Sequence, residues 1–104
     1  MASDDQLAEI RADIDSIDKQ LLALINARAE CARCVAEIKL AASQDGDALF
    51  YRPEREAQIL RAIQERNPGP LPADQAARIF REIMSSCLAS VSYTHLTLPT
   101  KQPV

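Results

Sequence analysis

The sequence predicts an all-α chain of three helices, the first much longer than the other two and paired with a second copy of itself. Three observations lead there. Only two of the 104 residues are glycine and four are aromatic, and Ala, Leu, Ile, Glu, Arg and Gln dominate, a mixture that favours helix nearly throughout. Apolar residues recur at alternating steps of three and four, the period of a helix face. The interruptions, Gly46 with Pro53 and then the run NPGPLP at 67–72, cut the chain into one long and two shorter segments.

Asp4 or Asp5 can cap the first helix. From there Ile10, Ile14, Ile17, Leu21, Leu24, Arg28, Cys31, Val35 and Ile38 form a seam suited to packing against other helices. No proline interrupts it before about Ala42, which makes a rod of roughly 55 Å at 1.5 Å per residue. The segment SQDGDALFYRP ends it. A second helix is expected from about Pro53 to Glu65, with Ile59, Leu60 and Ile63 apolar. Pro72 starts a third, striped by Ala76, Phe80, Ile83 and Cys87. A compact domain of 100 residues has a radius of gyration of only about 13 Å. Two helices of half the length cannot cover such a rod, so its far end needs another chain, and a homodimer with paired long helices is the economical answer.

Composition also excludes. The formal charge of −3 offers nothing to a nucleic acid. No apolar run approaches the roughly 20 residues of a membrane span, and MASDDQ lacks the basic-then-apolar pattern of a signal peptide. The expected address is the cytoplasm. Three cysteines there read as reduced thiols. Cys31 and Cys34 form a C-x-x-C, but inside a helix, and tetrahedral zinc wants four ligands where His95 is the one histidine. They are expected to be small buried thiols, with no metal and no cofactor.

The seam contains a puzzle. Arg28 and Lys39 are eleven residues apart, close to three turns, so both lie on the apolar face. A buried cation needs an anionic partner. Either Glu56 on the second helix supplies it as an interhelical salt bridge, or the cations form a pocket for an anionic ligand. Arg11 stands seventeen residues before Arg28, roughly 25 Å away along the axis, and could reach the same pocket only from the other subunit. In RPEREAQIL, Arg55 and Glu56 lie four and three residues before Ile59 and edge the inward face. Each of these also has a plain structural reading, as a solvated arginine and a first-turn glutamate favoured by the helix dipole.

Taken in order, R-x-D-I-D-S-I-D at Arg11 to Asp18, R-A-x-x-A-x-x-V-A-x-x-K at Arg28 to Lys39, and Arg55–Glu56 resemble the all-helical chorismate mutases. FYRPEREA and IFREIMSSCLA look most like the N-terminal mutase domain of bifunctional chorismate mutase–prephenate dehydratases. The resemblance covers about Leu7 to Ala89. It implies an intertwined homodimer of three-helix chains that converts chorismate to prephenate on the way to phenylalanine and tyrosine, without cofactor. It further implies that Arg28, and Arg11 from the partner, bind carboxylates, and that Lys39 donates to a carboxylate and to the ether oxygen. Glu56 would accept from the ring hydroxyl, the backbone N–H of Arg52 would lie nearby, and Arg55 would support the site. Cys87 stands where some relatives have a serine that bonds the substrate. Val91 stands where the family places a Gln or Glu aimed at the ether oxygen.

That last departure coincides with a change of character. From Ser90, SVSYTHLTLPTKQPV loses the helical period and turns Thr-rich and β-prone. Residues 1–89 are therefore taken as the mutase domain and 90–104 as a disordered or foreign tail, which looks like translated adapter or vector read-through; His95 has no role. Two other functions are consistent with the fold: an isochorismate–pyruvate lyase with a similar cationic pocket, and a non-catalytic helical dimerisation or regulatory module.

Overall fold

The computed structural model describes the backbone of residues 2–42 and 53–101, and the side chains of residues 3–41 and 53–91. Arg52 and the 43–52 connection lie outside the described residues. Helix α1 spans Ala2–Ala42, 41 residues or about 61 Å. Asp4 and Asp5 in its first turn and Lys39 in its last suit the helix dipole. Helix α2 spans Pro53–Arg66, beginning on a proline whose missing N–H would have had no intrahelical partner. Helix α3 spans Ala73–Lys101.

The α2–α3 turn is built by its own residues. The Asn67 amide donates to the Ile63 carbonyl at 3.0 Å and extends α2 by one bond, while Asn67 Nδ2 donates to the Leu71 carbonyl at 2.5 Å. Gly69 turns the chain at φ +79°, a left-handed conformation in which a Cβ is unfavourable. The Pro72 carbonyl accepts from Ala76 N at 3.0 Å and starts α3.

Helix α3 is the centre of the chain, packing against both α1 and α2. Its expected stripe is inward: Ala76 and Cys87 are buried, Phe80 and Ile83 half-buried. On α2, Ile59, Leu60 and Ile63 are half-buried. The small residues Ala36, Ala76 and Ala77 are buried, which lets helix backbones approach closely.

Within this chain the seam of α1 is largely uncovered, as expected of a rod that two shorter helices cannot cover: Ile10 is 54% exposed, Leu24 67% and Ile38 69%. The face turned to α3 lies beside the seam, through Ile25, Ala29, Ala32, Ala36 and Leu40. For the same reason Cys31 and Cys34, expected to be buried, are both exposed, since they lie on or next to the uncovered face. The loss of period at Ser90 also fails to stop the backbone, because α3 continues to Lys101. Ser, Tyr and Thr cost only a few tenths of a kcal/mol each in a helix, and a helix already packed over its first five turns can extend through them.

The chain is an elongated body of 63 × 38 × 17 Å, with a radius of gyration of 18.6 Å against about 13 Å for a compact chain of this size. Among the described residues no helix is long and apolar enough to cross a membrane.

Candidate active site

The second half of α1, the start of α2 and the second half of α3 border an open cavity of about 380 Å³. Each helix brings polar residues at its own period. From α1 come Arg28 and Lys39, three turns apart, with Ala32 and Ala36 between them on the flank that meets α3. The first turns of α2 contribute Arg55 and Glu56, with Ile59 one turn further on. Met84, Cys87, Leu88 and Val91 line the cavity from α3.

The charge balance is uneven. Three cations face the cavity against one carboxylate, and among the described residues no ion pair joins any of them. Arg28, Lys39 and Glu56 are half-buried, and Arg55 donates to Gln58 Oε1 at 2.6 Å. The interhelical salt bridge to Glu56 is therefore not formed, and of the two readings of Arg28 and Lys39 the geometry agrees with a pocket. The contrast with Arg33, five residues from Arg28, is instructive. Arg33 is bonded to Glu30 and lies 3.9 Å from Glu37; the Glu30 hydrogen bond first, then the two carboxylate charges, hold its guanidinium above the usual range. On the outer face of α1 a cation finds acids on its own helix. On the cavity face it does not.

The walls between the charges are apolar. Val91 and Cys87 are each 4% exposed and Met84 8%, so one end of the cavity is an apolar surface supplied by α3. A valine offers no hydrogen bond and a thiol only a weak one. The arrangement can hold a small dianion by its carboxylates, with the cations set beside apolar walls.

Of the expected residues, the cavity brings together Arg28, Lys39, Arg55, Glu56, Cys87 and Val91. Arg11 is exposed on the first half of α1 and does not line it. Arg52 lies outside the described residues. Sequence reasoning missed Cys31, Met84 and Leu88 as lining residues. Met84 and Leu88 each lie next to a stripe position, Ile83 and Cys87, and that adjacency was the available signal.

A family model described as chorismate mutase type II matches residues 10–91. The chain is 54% identical over 90 residues to a bifunctional chorismate mutase/prephenate dehydratase of Pseudomonas aeruginosa, an alignment covering 86% of this chain and 25% of the relative. A protein of the same description from Neisseria gonorrhoeae is 48% identical over 86 residues, 83% of this chain and 22% of that one. One from Aquifex aeolicus is 37% identical over 89 residues, 82% of this chain and 24% of that one. The chain thus spans about a quarter of the length of the curated relatives it matches.

Proposed function

The chain belongs to the chorismate mutase type II family, and from that premise we propose that its cavity rearranges chorismate to prephenate in the cytoplasm. The observation that carries the reading is the set Arg28, Lys39, Arg55 and Glu56 around one apolar-walled space, the cations without ion pairs among the described residues.

Chorismate is a dianion, and its rearrangement is a single pericyclic step. An ether C–O bond breaks as a C–C bond forms, with no nucleophile and no proton transfer. Two tasks are left to the protein: holding the compact chair conformer, and meeting the negative charge that builds on the ether oxygen. In our reading Arg28 takes one carboxylate. Lys39 takes a carboxylate and donates to the ether oxygen, where it is the principal source of positive charge. Glu56 accepts from the ring hydroxyl, which fixes the ring. Arg55 supports the carboxylate end, and the backbone N–H of Arg52 belongs beside the hydroxyl. Val91 then faces the ether oxygen without a donor, and the Cys87 thiol adds little.

We further propose an intertwined homodimer in which Arg11 of the partner subunit completes the carboxylate site. Its support is the uncovered stripe of Ile10, Ile14, Ile17, Leu21 and Leu24, between 49% and 67% exposed. Burying each fully has roughly a further 1 kcal/mol to contribute, and a bare helix of this kind is marginal in water. Residues 1–89 form the mutase domain in this reading, with 90–104 an added tail.

The test is direct turnover. Prephenate formed from chorismate supports the mutase; pyruvate released from isochorismate would favour the lyase; no turnover of either, by a folded chain repaired at position 91, leaves the non-catalytic module.

A further inference from the structure

The cavity is divided by chemistry as well as by helix. Its four charged residues, Arg28, Lys39, Arg55 and Glu56, all come from α1 and α2. Helix α3 contributes Met84, Cys87, Leu88 and Val91, and none of these side chains has a donor or acceptor stronger than a thiol or thioether. Met84, Cys87 and Val91 are between 4% and 8% exposed, so packing holds this wall in place. Among the described residues no buried side-chain nitrogen or oxygen lacks a partner, so the wall asks nothing polar of a ligand. A dianion held by its carboxylates on the α1 and α2 side presents the far edge of its body to α3.

We propose that the α3 wall sets the ligand specificity of the cavity, selecting small dicarboxylates whose carbon frame has no hydrogen-bonding atom on the edge opposite the carboxylates. The inference rests on the cavity being the anion site, and adds the class of dianion it takes. The physical reason is desolvation. A ring oxygen seated against Val91 and Met84 gives up water on that side and meets only carbon and sulfur. A methylene in the same place gives up no hydrogen bond and gains contact with the wall. Donation from Lys39 does not offset this for a resting ligand, because it strengthens as negative charge builds on the oxygen during reaction. The wall therefore binds carbocyclic dianions that the cavity cannot rearrange, and these compete with an ether substrate. Cys87 and Val91 are the positions where an added donor removes the preference.

The experiment uses a pair of isosteric probes, cis-cyclohexane-1,3-dicarboxylate and cis-tetrahydropyran-3,5-dicarboxylate, which differ by a ring oxygen at the edge farthest from both carboxylates. Their dissociation constants for the whole chain are measured by titration calorimetry. The carbocycle should bind about tenfold more tightly, near the lower end of what an acceptor buried without a partner costs. Val91→Gln and Cys87→Ser each place a donor on the wall and should bring the two affinities together. Cys87→Ser exchanges a single atom, and serves where Val91→Gln fails to fold. Arg28→Ala should weaken both probes and leave their ratio unchanged. Equal affinities in the unaltered chain, or tighter binding of the oxygen probe, overturn the proposal and leave the anion site standing. A carbocycle preference that survives in both wall variants has its origin elsewhere and overturns it too. With neither probe bound the proposal falls, and chorismate turnover on the same sample decides whether the anion site falls with it.

Discussion

Residues 3–24 and residues 25–41 belong to one uninterrupted helix, yet their surroundings have little in common. In the first half every side chain is exposed, including an apolar stripe from Leu7 to Leu24. In the second, Ala36 is buried, Arg28 and Lys39 are half-buried, and α3 closes over one flank. The same periodicity runs through both halves, so amphipathic pattern alone does not say which partner a face meets. The second half has its partner within the chain and forms a cavity with it. The first half presents the larger apolar surface, with nothing from the described residues over it.

The sharpest way to break this contrast is at the cavity. Lys39→Ala should lower kcat/KM for chorismate by about 10³, the upper end of what one donor to a developing oxyanion contributes, with far-UV circular dichroism unchanged. An unaltered rate would remove Lys39 from the ether oxygen.

Mixing tests the two halves together. Arg11→Ala and Arg28→Ala chains should each be nearly inactive. Mixed and allowed to exchange, they should regain about a quarter of the intact activity, because half of the dimers are mixed and one of the two pockets in each keeps both arginines. Mixtures no better than their parents would mean that the first half of α1 does not complete a neighbour's cavity.

Position 91 tunes the cavity from the α3 side. Val91→Gln should raise kcat by about 10², since it restores a donor facing the ether oxygen. Val91→Glu should do so more strongly at acid pH than at neutral, because only the protonated carboxyl can donate. A chain already as fast as its Val91→Gln variant would show that this position does not meet the ether oxygen.

The smallest effects belong away from the cavity and the uncovered stripe. Gly69→Ala should cost about 1 kcal/mol in denaturant unfolding, a purely backbone effect, because a Cβ there meets nothing within 4 Å. Activity should survive it. Arg33→Ala, which removes an exposed pair with Glu30 and Glu37, should leave both the thermal midpoint and kcat unchanged, as is usual for solvated ion pairs.

Much of this was legible in one dimension. The start of α2 follows from Pro53, a residue whose local chemistry acts within a turn or two, whereas Asp4 and Asp5, expected to cap α1, lie inside the first turn of a helix that begins at Ala2. Arg28 and Lys39 were recognisable because a cation on an apolar stripe breaks the pattern. The exposure of Cys31 and Cys34 was not legible, because burial depends on what covers a face. Nor was the continuation of α3 past Ser90, where small unfavourable propensities yield to a helix already under way.

Sequence alone determined the three helices, their order, and which residue types share a face, because helix period and breaker residues are local properties of the chain. The tertiary structure decided that Arg28 and Lys39 from α1, Arg55 and Glu56 from α2, and Cys87 and Val91 from α3 line a single cavity. It also decided that the seam of α1 stays uncovered within the chain while the alanine flank beside it meets α3. Both depend on how far one helix is rotated and shifted against another. That is set by the fit of side chains across an interface, and no periodicity within a single helix contains it.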